Sequence, residues 1–117
     1  MTSSRIVRAR QTEAIVADFL RQNGFPYAER IPAGLPGSDI TGCPGLNWEV
    51  KARRGLDLPG WLRQVSKREG IPLLVSRPDG WGEAKVSLWP MTMPLGAGVE
   101  LLRQAGYGTP LEGCGKC

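Results

Sequence analysis

Sixteen glycines and ten prolines, 26 of 117 residues, cut this chain into short pieces. That share stays below low-complexity composition, and 27 leucines, isoleucines, valines and phenylalanines supply a core. The expectation is one loop-rich globular domain over residues 1–110 with a tail at 111–117. Between the breaks, side-chain pattern assigns the elements. Ile15, Val16, Phe19 and Leu20 recur at helical spacing, predicting a helix over 11–23 that stops at Asn23-Gly24. Residues 27–31 read as a short strand closed by Pro32, and 33–37 as a loop. Two β-type runs, 38–42 and 46–52, flank Cys43-Pro44-Gly45 and predict a hairpin. Asp57 and Pro59 open a second helix with Trp61, Leu62 and Val65 on one face, ending at Gly70. A strongly apolar strand follows at 71–77, then a Pro78-Asp79-Gly80 turn, an alternating strand at 84–89 and a helix at 99–104. The order α-β-β-β-α-β-β-α defines an α/β fold, a small mixed β-sheet flanked by helices.

The chain contains no histidine. Ser-His-Asp and Cys-His triads, His-ligated zinc and the ββα-metal nucleases are thereby excluded. Acid-base or nucleophilic work falls to carboxylates, lysine, cysteine, serine or a bound metal. The net charge is +4, and eleven of fifteen cations are arginine, whose planar fork matches a phosphate. A polyanion is the partner this balance suggests. No apolar run approaches the roughly 18–20 residues of a membrane span, and MTSSRIVRAR leads into no signal-peptide core. Three cysteines, two of them at Cys114 and Cys117, do not form a secreted disulfide framework. A soluble, cytoplasmic protein is expected.

Three acids and one lysine stand out within this frame. On a strand through Asn47-Trp48-Glu49-Val50-Lys51-Ala52, Glu49 and Lys51 share a face, about 7 Å apart, and Trp48, Val50 and Ala52 take the other. If 38–42 pairs with this strand, Asp39 lies beside Glu49 on the sheet surface. Two carboxylates so close repel unless a cation sits between them, and a hard divalent ion suits oxygen ligands. Glu13 falls at the border of the first helix's apolar stripe, where it can reach such a site. The same residues also suit plainer roles: a helix-start glutamate favoured by the dipole, and a solvated hairpin face with a cross-strand salt bridge.

A helix with Glu13, then Gly37-Ser38-Asp39-Ile40, then Trp48-Glu49-Val50-Lys51-Ala52 with nine residues between Asp39 and Glu49, and another helix resembles the PD-(D/E)xK nuclease superfamily. Within it the chain is most similar to the archaeal-type Holliday junction resolvases and their phage relatives, over about residues 5–90. The segment from Glu49 to Gln64 also looks like small resolvase-type proteins of actinobacterial phages, which would place the chain in a host cytoplasm. Ser38 stands where the superfamily's name has proline. The resemblance implies a restriction-endonuclease-like fold and hydrolysis of phosphodiesters to 5′-phosphate ends. Asp39, Glu49 and the Val50 carbonyl would hold Mg²⁺ or Mn²⁺, with Glu13 at a second ion or its water. Lys51 would position and deprotonate the attacking water, and Gln64 would orient the site. No small-molecule cofactor is implied.

Arg5, Arg8 and Arg10 precede the predicted first helix, Arg53 and Arg54 follow Lys51, and Arg63, Lys67 and Arg68 fall on the second helix. These are the candidate phosphate contacts, for a protein that reads the shape of branched DNA. Two opposed cuts in one four-way junction require two active sites, so a homodimer is expected. Its apolar surface would come from 71–75, 81–89 or the C-terminal helix. Trp48 and Trp89 are expected in the core, and Trp61 and Trp81 in the core, at a dimer contact or against unpaired bases. Cys43 is expected to pack. The lone Cys114-x-x-Cys117 pair lies in the tail, and a half zinc site, a redox pair or a frayed end all suit it.

Overall fold

The strongly apolar run 71–76 becomes the central strand of the main sheet. The computed structural model describes residues 4–32, 37–52 and 55–110. In chain order the elements are α1 (Ser4–Gln22), β1 (Glu29–Arg30), β2 (Ile40–Thr41), β3 (Leu46–Lys51), α2 (Leu58–Val65), β4 (Ile71–Ser76), a 3₁₀ helix (Glu83–Leu88), β5 (Met91–Thr92) and α3 (Leu95–Gln104). The fold is mixed α/β. β3 and β4 run parallel, joined by α2, and β5 returns antiparallel on the far side of β4. Burial on both faces explains why β4 reads as a continuous apolar run, Leu73-Leu74-Val75.

Alternation along β3 and β4 divides the core into two layers. Trp48, Val50, Leu73 and Val75 face α1, where Val16, Ala17 and Leu20 meet them together with Trp89 and Cys43. Leu74 points to the opposite face and packs with Trp61 and Val65 of α2. The core placement of Trp48 and Trp89 and the packing role of Cys43 are as expected from sequence; Trp61 is also core, and Trp81 lies at its margin. Asp57 caps α2, its side chain accepting from the Gly60 N–H at 3.0 Å.

Five boundaries differ from the expectations. The segment 84–89 is a 3₁₀ helix, with β5 lying beyond it. Val86 and Trp89 are three apart, and one 3₁₀ turn brings both onto the core, so alternation there was ambiguous. The first helix begins at Ser4 and contains Arg5, Arg8 and Arg10, because arginine is a good helix former even where no apolar stripe exists. The second helix ends at Val65, so Lys67 and Arg68 lie in the turn after it. The last helix starts four residues early, at Leu95.

The fifth difference concerns the hairpin. β2 pairs with β1, Glu29 opposite Thr41 and Arg30 opposite Ile40, not with β3 in a regular ladder. The turn between β2 and β3 is nevertheless tight, closed by the Leu46 N–H on the Cys43 carbonyl at 3.1 Å. Gly42 there has φ +83° and lies so close to the Tyr27 carbonyl that a β-carbon would collide with it. No helix among the described residues is long and apolar enough to cross a membrane.

Candidate active site

The free edge of β3 organises the site. Instead of a second ladder, two short polar side chains reach across it. The Ser38 hydroxyl accepts from the Trp48 N–H at 2.8 Å and donates to the Ile40 carbonyl at 2.7 Å. The Asp39 N–H donates to the Trp48 carbonyl at 2.7 Å, and Asp39 Oδ2 accepts from the Val50 N–H at 2.8 Å. Asp39 therefore caps the open edge of β3 through a clasp in place of a regular ladder, with its carboxyl group beside that of Glu49. Serine and aspartate suit this because a short side chain with an oxygen competes well for backbone donors.

Around that edge the sequence-predicted residues converge from three elements. Glu13 of α1, Asp39, and Val50 and Lys51 of β3 line one cavity of about 330 Å³, together with Arg5 and Arg8. Glu49 lies on the α2 side of β3 with its side chain only 10% exposed, and Lys51 Nζ stands 3.2 Å from Glu49 Oε1. Lys51 also borders a second cavity, of about 290 Å³, shared with Leu56, Trp61 and Gln64. It is the residue common to both hollows.

Electrostatics mark the same place. Burial pushes the Asp39 carboxyl up to about 6; the Val50 N–H opposes this, while the nearby Glu49 charge and a hydrogen bond with its side chain add to it. Burial and then the Asp39 charge also raise Glu13, against the pull of Arg30, whose Nη1 is 3.8 Å from Glu13 Oε1. Carboxyl groups crowded out of water in this way favour either a proton or a cation.

A divalent ion can be tested against this donor set. Among the described residues no three acidic or cysteine side chains form a closed metal cage. Mg²⁺ does not need one, since it keeps several waters and takes one or two protein carboxylates along with substrate phosphate. Asp39 and Glu49, interacting directly and beside the Val50 backbone, fit that requirement. Glu13 faces them but is engaged by Arg30.

The expected cationic surface divides into groups. Arg5 and Arg8 line the acidic cavity, and Arg8 Nε donates to the Ala52 carbonyl at 3.4 Å. Arg10, Arg63 and Lys67 are exposed. Arg68 turns inward, donating to the Gly37 carbonyl at 3.2 Å and lying 4.0 Å from Glu49 Oε2, so it braces the site and is not a free surface cation. Arg53 and Arg54 lie outside the described residues, as do Cys114 and Cys117. Sequence reasoning missed Ser38 as an edge clasp, Arg30 as the partner of Glu13, and the inward turn of Arg68. Only Ser38 carried a signal, a hydroxyl next to the key aspartate.

Comparison with family models, with curated proteins and with solved structures finds no match to this chain. The functional reading accordingly rests on its own residues.

Proposed function

We propose that this protein is a metal-dependent endonuclease of the PD-(D/E)xK type, with a restriction-endonuclease-like fold, that resolves four-way DNA junctions as a homodimer. One observation carries the reading: Glu13, Asp39, Val50 and Lys51 line a single cavity whose rim holds Arg5 and Arg8, with Glu49 against both Asp39 and Lys51. A pure DNA-binding module gains nothing from buried acids facing a phosphate. The β3-α2-β4 parallel unit, with the acids on the first strand's edge and face, supports the fold assignment.

In this reading Asp39, Glu49 and the Val50 carbonyl would hold Mg²⁺ or Mn²⁺. Such an ion lowers the pKa of a water and offsets the charge that develops on phosphate. The chain's own residues do the rest. Arg5 and Arg8 draw a phosphate to the cavity mouth, where the acids alone would repel it. Lys51 places a cation beside the phosphate oxygens and positions the attacking water. Arg68 holds Glu49 from the α2 side, and Gln64, which lines the second cavity with Lys51, would orient the site from there. The products are 5′-phosphate and 3′-hydroxyl ends.

The test is cleavage of a synthetic four-way junction, a flap, a fork and linear duplex, each with Mg²⁺ or EDTA. Paired symmetric nicks on the junction, lost in EDTA, support resolution. Equal cutting of linear duplex sinks junction selectivity and leaves another nuclease of the same type. Binding without cutting under any divalent metal overturns the catalytic reading.

A further inference from the structure

Lys51 borders a second hollow that the proposed chemistry does not fill. This cavity, of about 290 Å³, lies between the C-terminal end of β3 and the start of α2. Its deepest lining is apolar, Leu74 being 1% exposed and Trp61 6%. Leu56, 39% exposed, and the exposed Gln64 of α2 line it toward solvent.

The chemistry of this lining narrows what it can hold. The start of a helix ordinarily offers N–H groups to an anion. Here the Gly60 N–H donates to the Asp57 carboxylate and the Trp61 N–H to the Asp57 carbonyl, each at 3.0 Å, and Pro59 has none. The Asp57 carboxylate also repels a phosphate. A divalent cation is no better served, since that capping aspartate is the single acid among the described lining residues. What remains is an apolar slot with one amide and one ammonium at its edge. Glutamine offers a donor and an acceptor side by side, the pattern that reads the edge of a base. The volume falls just under that of pockets enclosing a drug-sized molecule, room for one planar base and too little for a pair.

We infer that this cavity receives one unpaired nucleobase, from the nucleotide beside the phosphate that Lys51 faces. Because Lys51 lines both hollows, a phosphate at the acidic cavity delivers its neighbouring base to this one. The inference rests on the nuclease reading only in placing a DNA phosphate at Lys51. Drawing a base out of a duplex is costly, and least so where stacking is already interrupted. At a branch point the cavity therefore takes a base that linear duplex withholds. That is a chemical ground for preferring branched DNA without any sequence readout.

Fluorescence anisotropy of a synthetic four-way junction, in EDTA so that cutting plays no part, tests it with the full chain. A single abasic site is walked through the nucleotides around the branch point. For the wild type, one position is expected to weaken binding by at least about tenfold when its base is missing. Leu56→Trp, which closes the mouth of the cavity, is expected to bind the intact junction as weakly as the wild type binds that abasic one. In this variant the abasic penalty itself disappears, the sign that both changes remove one contact. Cooperative unfolding shows that the variant is folded. Should it fail to fold, Gln64→Leu decides, with an expected loss of at least about threefold in the penalty. A penalty of equal size in wild type and folded variant overturns the inference, as does a walk with no sensitive position. Cleavage in Mg²⁺ is scored separately: nicking with no sensitive position refutes this pocket and spares the nuclease, and a sensitive position without nicking does the reverse.

Discussion

Replacing Asp39 with asparagine should make the metal-free protein more stable at neutral pH while destroying its chemistry. The fold raises the Asp39 carboxyl from 3.8 to about 6, chiefly by burial. A raised acid favours the folded state while it stays protonated. That contribution is complete below pH 3.8 and is lost as pH rises through about 6. Each pKa unit corresponds to about 1.4 kcal/mol, so the full shift is worth about 3 kcal/mol. Asp39 is only partly buried, and solvent screening brings the figure to about 1–2 kcal/mol. Asparagine keeps a carbonyl oxygen for the Val50 N–H, offers an N–H to Glu49, and never ionises. In EDTA, Asp39→Asn should match the wild type near pH 4 and exceed it by about 1–2 kcal/mol at pH 8, a rise in Tm of about 5–10 °C. Urea unfolding followed by tryptophan emission gives the comparison at both pH values. Mg²⁺ should then raise the Tm of the wild type and leave that of Asp39→Asn unmoved. A variant less stable than wild type at pH 8 would refute the reasoning, since it would make the carboxylate a structural asset. A difference that does not change with pH would do the same.

Lys51→Ala should cut cleavage by at least about a hundredfold and leave junction binding intact, measured by gel shift beside the nicking assay. Ser38→Pro, which installs the residue named in the superfamily motif, should cost about 1–3 kcal/mol, because the Trp48 N–H loses its acceptor; chemical denaturation reads it. Gly42→Ala should destabilise by a similar 1–3 kcal/mol or so, from its positive φ and the Tyr27 carbonyl in its way. Arg5→Ala should weaken DNA binding alike for all sequences and lower the slope of log affinity against log salt by about one.

How far the fold could be read from sequence depended on where burial left a pattern. β3, β4 and the start of α2 were legible because their apolar residues and the Asp57 cap obey single periods. The first two turns of α1 bury almost nothing, so periodicity had nothing to detect there. At 84–89 two periods fitted the same residues, and packing of Val86 and Trp89 on the core chose the 3₁₀ turn. For the site, spacing alone brought Glu49 and Lys51 to one face, and the order of elements brought Asp39 and Glu13 near them. The clasp by which Asp39 reaches the β3 edge was not legible, since it follows from Ser38 taking the place of a ladder hydrogen bond. Nor was the inward turn of Arg68, which requires the helix to stop at Val65 and the chain to pass back over Gly37.

The clasp at the β3 edge has a consequence for how this protein keeps to itself in a crowded solution. An open strand edge is a template on which other chains can add strands and aggregate. Here the Trp48 and Val50 donors are stoppered by Ser38 and Asp39, so any passing strand finds them occupied. The carboxylate to which the proposed function gives a metal is thus also a guard against amyloid-like pairing. An apolar residue at this position would leave the Val50 N–H without its acceptor and open the edge.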